Sequence, residues 1–108
     1  MKGFGGGGMQ ALMRQANQMQ ARMKKLQEEL AAREFEGTSG GGAVKVTVTG
    51  DSKVKSVVIQ PDVMSSGDKD MLQDLVVTAV NEALKVAKTT SDQETAKITG
   101  GFNMPGMF

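Results

Sequence analysis

Residues 9 to 33 carry an unbroken heptad pattern, which constrains the fold more than any other feature of the sequence. Met9, Ala16, Met23 and Leu30 fall at one core position, and Leu12, Met19 and Leu26 at the other. The positions between are almost all Gln, Arg, Lys, Glu or Ala, which favour helix and stay soluble. A helix of about 25 residues rising 1.5 Å per residue is roughly 37 Å long. A compact domain of about 85 ordered residues is only about 30 Å across. The helix is therefore expected to overhang its own domain. Its apolar stripe then needs a cover, and a second copy of the chain is the simplest one. Met9, Leu12, Ala16, Met19, Met23, Leu26 and Leu30 are thus the expected dimer-interface residues.

The rest of the chain reads as a short meander and a second helix. Glu34 to Ser39 can run as a first strand, and Gly40-Gly41-Gly42 is a loose turn where positive φ costs nothing. From Ala43 to Thr49, Val44, Val46 and Val48 alternate with Lys45, Thr47 and Thr49, the period of a half-buried strand. Gly50-Asp51-Ser52 is a hairpin turn. Val54 to Gln60 is the next strand, with Lys55, Val57 and Ile59 on one face and Val54 and Val58 on the other. Apolar residues on both faces predict a strand covered more fully than its neighbour. Pro61 stops it. Ser65 and Asp68 fit a loose capping box, and an apolar stripe from Met71 to Ala87 predicts a helix lying on the sheet. That helix is clear to about Lys88. The expected fold class is α+β: long N-terminal helix, three-stranded antiparallel meander, and C-terminal helix packed on the sheet, in a homodimer. One domain spans 9–99, between a flexible Gly-rich arm at 1–8 and a disordered Gly/Met/Pro tail at 100–108.

Composition narrows the chemistry. The chain has neither His nor Cys, so it lacks the usual general base, thiol nucleophile and transition-metal ligands. No cofactor, metal site or catalytic residue is expected, and the chain is read as a non-enzyme. Gly3-x-Gly5-x-x-Gly8 matches a dinucleotide fingerprint in letters only, because no strand can precede it. The glycines from Gly37 onward lack the Gly-Lys-Ser/Thr ending of a phosphate loop. With four Phe and no Trp or Tyr, base stacking of a single strand is disfavoured. No apolar run approaches 18 residues, and Met1-Lys2-Gly3-Phe4 opens no signal peptide. The expectation is a soluble, intracellular protein with no membrane partner.

What remains is electrostatic. The net charge is only +1, but its distribution is uneven. Arg14, Arg22, Lys24, Lys25 and Arg33 against Glu28 and Glu29 leave the heptad helix at +3. Lys45, Lys53 and Lys55 against Asp51 leave the sheet at +2, while residues 61–84 stand at −4. Such asymmetry orients a molecule on a polyanion, although it also describes an ordinary solvated surface. Of the helix cations only Arg33 falls on the seam. Two such helices would offer spaced cations to a phosphate backbone, largely indifferent to base sequence since no major-groove reader is visible. Arg14, Arg22, Lys24, Lys25 and Arg33 are the leading DNA-binding candidates. Lys45, Lys53 and Lys55 are the weaker ones, and Lys85, Lys88 and Lys97 are held in reserve.

The ordered set of segments also resembles a known family. Leu12-Met13-Arg14-Gln15-Ala16-Asn17-Gln18-Met19-Gln20, Gln27-Glu28-Glu29-Leu30, Gly40 to Gly42, Val44 to Gly50, Ile59-Gln60-Pro61-Asp62 and Asp70 to Val76 follow a Gly-rich start and precede a Met/Pro/Gly tail. In this order they look like the YbaB/EbfC family of small bacterial nucleoid-associated proteins. That resemblance implies a homodimer with protruding helices in the cytoplasm and nucleoid. It implies binding of double-stranded DNA with little sequence preference, altered DNA conformation or accessibility, and effects on gene expression through transcription regulation. The family usually has Asp where this chain has Gln60, a difference to which no function is assigned. The competing reading is a homodimeric adaptor whose heptad helix docks a recombination or replication protein.

Overall fold

The computed structural model describes residues 8–99. The elements are α1 (Met9–Ala32), β1 (Glu34–Ser39), β2 (Val44–Thr49), β3 (Val54–Ile59), α2 (Pro61–Ser65) and α3 (Lys69–Thr99). The expected α+β order is therefore present. The tail at 100–108 and all of the arm but Gly8 lie outside the described residues. Gly8 itself has helical angles.

The three strands form an antiparallel sheet in the order β1-β2-β3. Gly40, Gly41 and Gly42 turn the chain between β1 and β2, all with positive φ. Val44, Val46 and Val48 of the middle strand are fully buried, each contributing on the order of 1.5–3 kcal/mol. They face α3, which lies over β1 and β2. Ala79, Ala83 and Ala87 form the helix side of this contact, and their small size lets the helix sit close to the sheet. The Ser39 hydroxyl ties β1 to the helix by donating to the Leu75 carbonyl, 2.6 Å away.

The expected cover over β3 is not found. Val54 is 50% exposed and Val57 42%, because α3 stops short of this edge strand. The face assignment changes as well. Val46 opposes Val57 and Thr47 opposes Ser56, but Val48 then opposes Val54, so Lys55 is an extra residue in the pairing. One extra residue reverses the faces of everything before it. Val54 joins Val57 and Ile59 on the α3 side, while Lys55 turns to the solvent side and pairs with Glu34.

Two further differences lie around Pro61. Beyond stopping β3, Pro61 opens the short helix α2, a position where its missing N–H is no loss. Asp68, not Ser65, caps α3: its carboxylate accepts the Met71 amide at 3.0 Å. From there α3 runs 31 residues, well past Lys88. Its distal end leaves the sheet and meets α1, where Ile98 lies beside Met19. The molecule is long and thin, 78 × 25 × 16 Å. That shape agrees with a helix overhanging its domain.

Candidate nucleic-acid interface

α1 is positioned at its C-terminal end. Leu30 is only 5% exposed and joins the core with Phe35 and the β2 valines. Arg33 takes extended angles, ending the helix and leading directly into β1. The Gly50 amide donates to the Arg33 carbonyl at 3.0 Å, fixing this junction against the β2–β3 turn. No side chain at Gly50 would fit, since a Cβ there would lie 2.6 Å from the Leu30 carbonyl carbon.

The heptad seam is thereby divided. Leu30 and Leu26 pack into or against the protomer's own core, and Met19 and Met23 are half-buried. Met9, Leu12 and Ala16 remain exposed, Leu12 at 64%. Other apolar side chains, which the sequence does not mark out, are exposed too: Val54, Val57 and Val58 of β3, Met64 of α2, and Met71 and Val77 of α3.

Arg14, Arg22, Lys24, Lys25 and Arg33 are all exposed. At about 100° per residue, Arg14, Arg22 and Lys25 fall within an arc of roughly 80° and span about 17 Å along the axis. This stripe lies to one side of the seam, and Lys24 falls on the other. The Arg33 guanidinium stands 5.3 Å from the centre of the Phe35 ring, which holds it at the α1–β1 junction.

Pairing separates the helix cations from the sheet cations. Among the described residues, the ion pairs are Lys45–Glu36 at 3.6 Å, Lys53–Asp51 at 3.6 Å, Lys55–Glu34, and Lys97–Glu94 at 3.4 Å. Every sheet candidate is matched by a carboxylate, and so is Lys97. None of Arg14, Arg22, Lys24, Lys25 and Arg33 is. Exposed pairs add little stability, but each cancels the local charge that a polyanion would feel. The Asp51 carboxyl is held below its usual range, first by the Thr49 hydroxyl donating to it and further by the Lys53 charge. It therefore stays ionised beside Lys53. Lys85 and Lys88 of α3 carry no such pair, and Lys88 borders a cleft with Gly50, Ser52 and Ser91.

The described residues contain no group of His, Cys, Asp or Glu placed to hold a metal ion, and no helix among them is long and apolar enough to cross a membrane. The arrangement can attract and position an anion along a rigid rod.

Comparison with known proteins gives the family of the chain. The chain is 49% identical over 107 residues to "Nucleoid-associated protein NT01CX_0824" of Clostridium novyi, covering 98% of this chain and 94% of that one. It is likewise 49% identical over 107 residues to "Nucleoid-associated protein TTE0040" of Caldanaerobacter subterraneus, covering 98% and 96%. In fold it is similar to the crystal structure of uncharacterized protein HP0035 from Helicobacter pylori. That match has a TM-score of 0.68 at 21% identity and covers 82% of this chain and 94% of that one. The model of the YbaB/EbfC DNA-binding family matches residues 5–102, nearly the whole sequence, and the chain belongs to that family.

Proposed function

We propose that this protein is a nucleoid-associated protein that binds double-stranded DNA as a homodimer in the bacterial cytoplasm. Its affinity comes from phosphate contacts with little dependence on base sequence. Binding alters the conformation or accessibility of the DNA, with effects on gene expression. The observation that carries the reading is the pairing pattern: the cations of α1 are free of carboxylates while those of the sheet are matched. The stripe from Arg14 to Lys25 spans roughly half of one turn of duplex, which is about 34 Å.

The uncovered apolar side chains of β3 support a second copy as partner. Val54 and Val57 sit on an edge strand that the protomer's own α3 stops short of covering. A two-fold arrangement lets each patch cover the other, as an isologous interface requires. The free end of the seam at Met9, Leu12 and Ala16 would extend that interface or stay open. The adaptor reading rests on the same open end, where Met9, Leu12 and Met13 could receive a partner helix.

The test is a salt titration on purified protein and unrelated duplex fragments. Phosphate-dominated binding gives a linear fall of log affinity with log salt, about 0.9 per phosphate neutralised, alike on all fragments. A flat response would reject DNA binding of this kind and favour the adaptor.

A further inference from the structure

The apolar stripe of α1 is covered only at its inner end. Leu30 is buried, and Leu26, Met23 and Met19 are half-buried. Towards the N-terminus the stripe continues through Ala16, Leu12 and Met9, with Leu12 64% and Met9 58% exposed. At about 100° per residue, Leu12 lies in line with Met19, Leu26 and Leu30. The two helices run in opposite directions here. α1 enters the core at Leu30, whereas α3 leaves it after Ala87 and brings Ile98 beside Met19 and Gln15. Between these points the half-buried side chains of α3 are Thr90, Ser91, Glu94 and Thr95, so Ile98 is its only large apolar side chain after Ala87. α3 is thus aimed along the stripe and ends at Thr99, where the cover stops.

The sequence that follows Thr99 suits the uncovered part. Gly100 and Gly101 are the residue type that turns a chain out of a helix. Phe102, Met104, Met107 and Phe108 then supply large apolar side chains in a segment without a charge. From Met19 to Met9 the helix runs about 15 Å. An extended segment from Phe102 to Phe108 reaches up to about 23 Å, which is enough to cover it. Methionine sulfur also packs well on aromatic ring edges, and the stripe offers Met9 and Met19 to the two Phe side chains. Tethered to α3, the segment meets α1 at a roughly millimolar effective concentration, which a second copy at micromolar concentration cannot match. We infer that residues 102–108 dock on Met9, Leu12 and Ala16 of their own chain, as a cap that keeps the outer end of the stripe from pairing with other molecules. The proposed function gives this end of the seam no fixed occupant, and the cap supplies one whether or not DNA is bound.

The chain has neither Trp nor Cys, so Phe102→Trp and Gln15→Cys introduce unique reporters into the full-length protein. Acrylamide should quench the indole several-fold more slowly than it quenches free tryptophan amide. Adding Leu12→Gln, which keeps helix propensity, should abolish that protection, whereas Met64→Gln on α2 should leave it intact. A nitroxide on the cysteine introduced by Gln15→Cys should quench the indole of the same chain, and this quenching should survive exchange with an excess of unlabelled protein. An indole as open to acrylamide as the free amide would overturn the proposal. Protection that survives Leu12→Gln, or is lost with Met64→Gln, would place the segment elsewhere and overturn it too. Nitroxide quenching that disappears on exchange would mean docking on a second copy and overturn the own-chain assignment. The capping role has its own readout. The full-length variant F102S/M104S/M107S/F108S should sediment as larger assemblies, and adding L12Q should restore the native size. An unchanged size in the first variant would overturn the capping role.

Discussion

Gly37 of β1 lies directly under Ala83 of α3, close enough that a Cβ on Gly37 would stand 2.8 Å from the Ala83 Cα and 2.5 Å from the Ala79 carbonyl oxygen. Both obstacles are backbone, so neither can yield as the end of a side chain would. The whole helix must lift, taking Ala79 and Ala83 off the β2 valines. Gly37→Ala should destabilise the protein by about 3 kcal/mol, the upper part of the overpacking range. For a domain of this size that lowers the thermal midpoint by roughly 12–24 °C. Gly41→Ala is the control: its Cβ meets nothing, and only the positive φ is strained, at roughly 1–2 kcal/mol. Thermal unfolding followed by circular dichroism separates the two. Equal midpoints would mean that α3 stands off the sheet.

The legibility of this fold follows the same division between local and long-range contacts. α1, the three strands and most of α3 are readable because their apolar periods are local properties of the chain. Lys55 shows where reading stops. Its extra place in the β2–β3 pairing reverses the face of Val54, and no single-strand pattern reveals an unpaired residue. Pro61 ends a strand and begins a helix with the same missing N–H, so α2 is hidden behind the stop. The seam from Met9 to Leu30 reads as one surface in the sequence. Its division between an intramolecular and an exposed part depends on where α3 ends, near Ile98. At the candidate site, the cations can be counted from the sequence but their partners cannot. Lys45–Glu36 and Lys55–Glu34 join residues on different strands and exist only through the pairing of those strands.

The homodimer proposal predicts a clean separation between folding and assembly. Val57 is largely outside the protomer's core, so Val57→Glu should leave circular dichroism intact. At the proposed interface it would bury an unpaired carboxylate, at several kcal/mol in each half. Sedimentation should find a folded monomer at micromolar concentration. Leu12→Glu, at the free end of the heptad seam, should weaken the dimer much less. A dimeric V57E protein and a monomeric L12E protein would instead make the seam the interface.

Affinity for DNA should be insensitive to pH between about 5.5 and 7. His, the side chain that ordinarily changes charge in that window, is absent. Anisotropy titrations at fixed ionic strength should overlay within error. Stability responds further down. Asp51 has a folded pKa below its ordinary value of 3.8, so its stabilising contribution is complete above that value. It is lost as pH falls through the lower folded value. Asp51→Asn should therefore shrink the stability difference between pH 6 and pH 3. An unchanged difference would mean that the Thr49 and Lys53 contacts do not persist in solution.

The last prediction tests the α1 cations against the sheet. Arg22→Gln, Lys24→Gln and Lys25→Gln together keep helix propensity and remove three charges that no carboxylate of the protomer matches. The variant should keep its helical signal and its oligomeric state, yet bind DNA far more weakly at moderate salt. Its log-affinity against log-salt slope should flatten by about 0.9 for each phosphate left without a cation, to the same extent on unrelated duplexes. Lys45→Gln, Lys53→Gln and Lys55→Gln make the matched control, with the same nominal change of charge. Those lysines already face Glu36, Asp51 and Glu34, so replacing them makes the distant field more negative while the phosphates keep their cations on α1. Affinity should fall moderately and the slope should hold. If the sheet variant flattens the slope and the helix variant does not, the phosphates lie against the sheet, and the surface ion pairs open on binding.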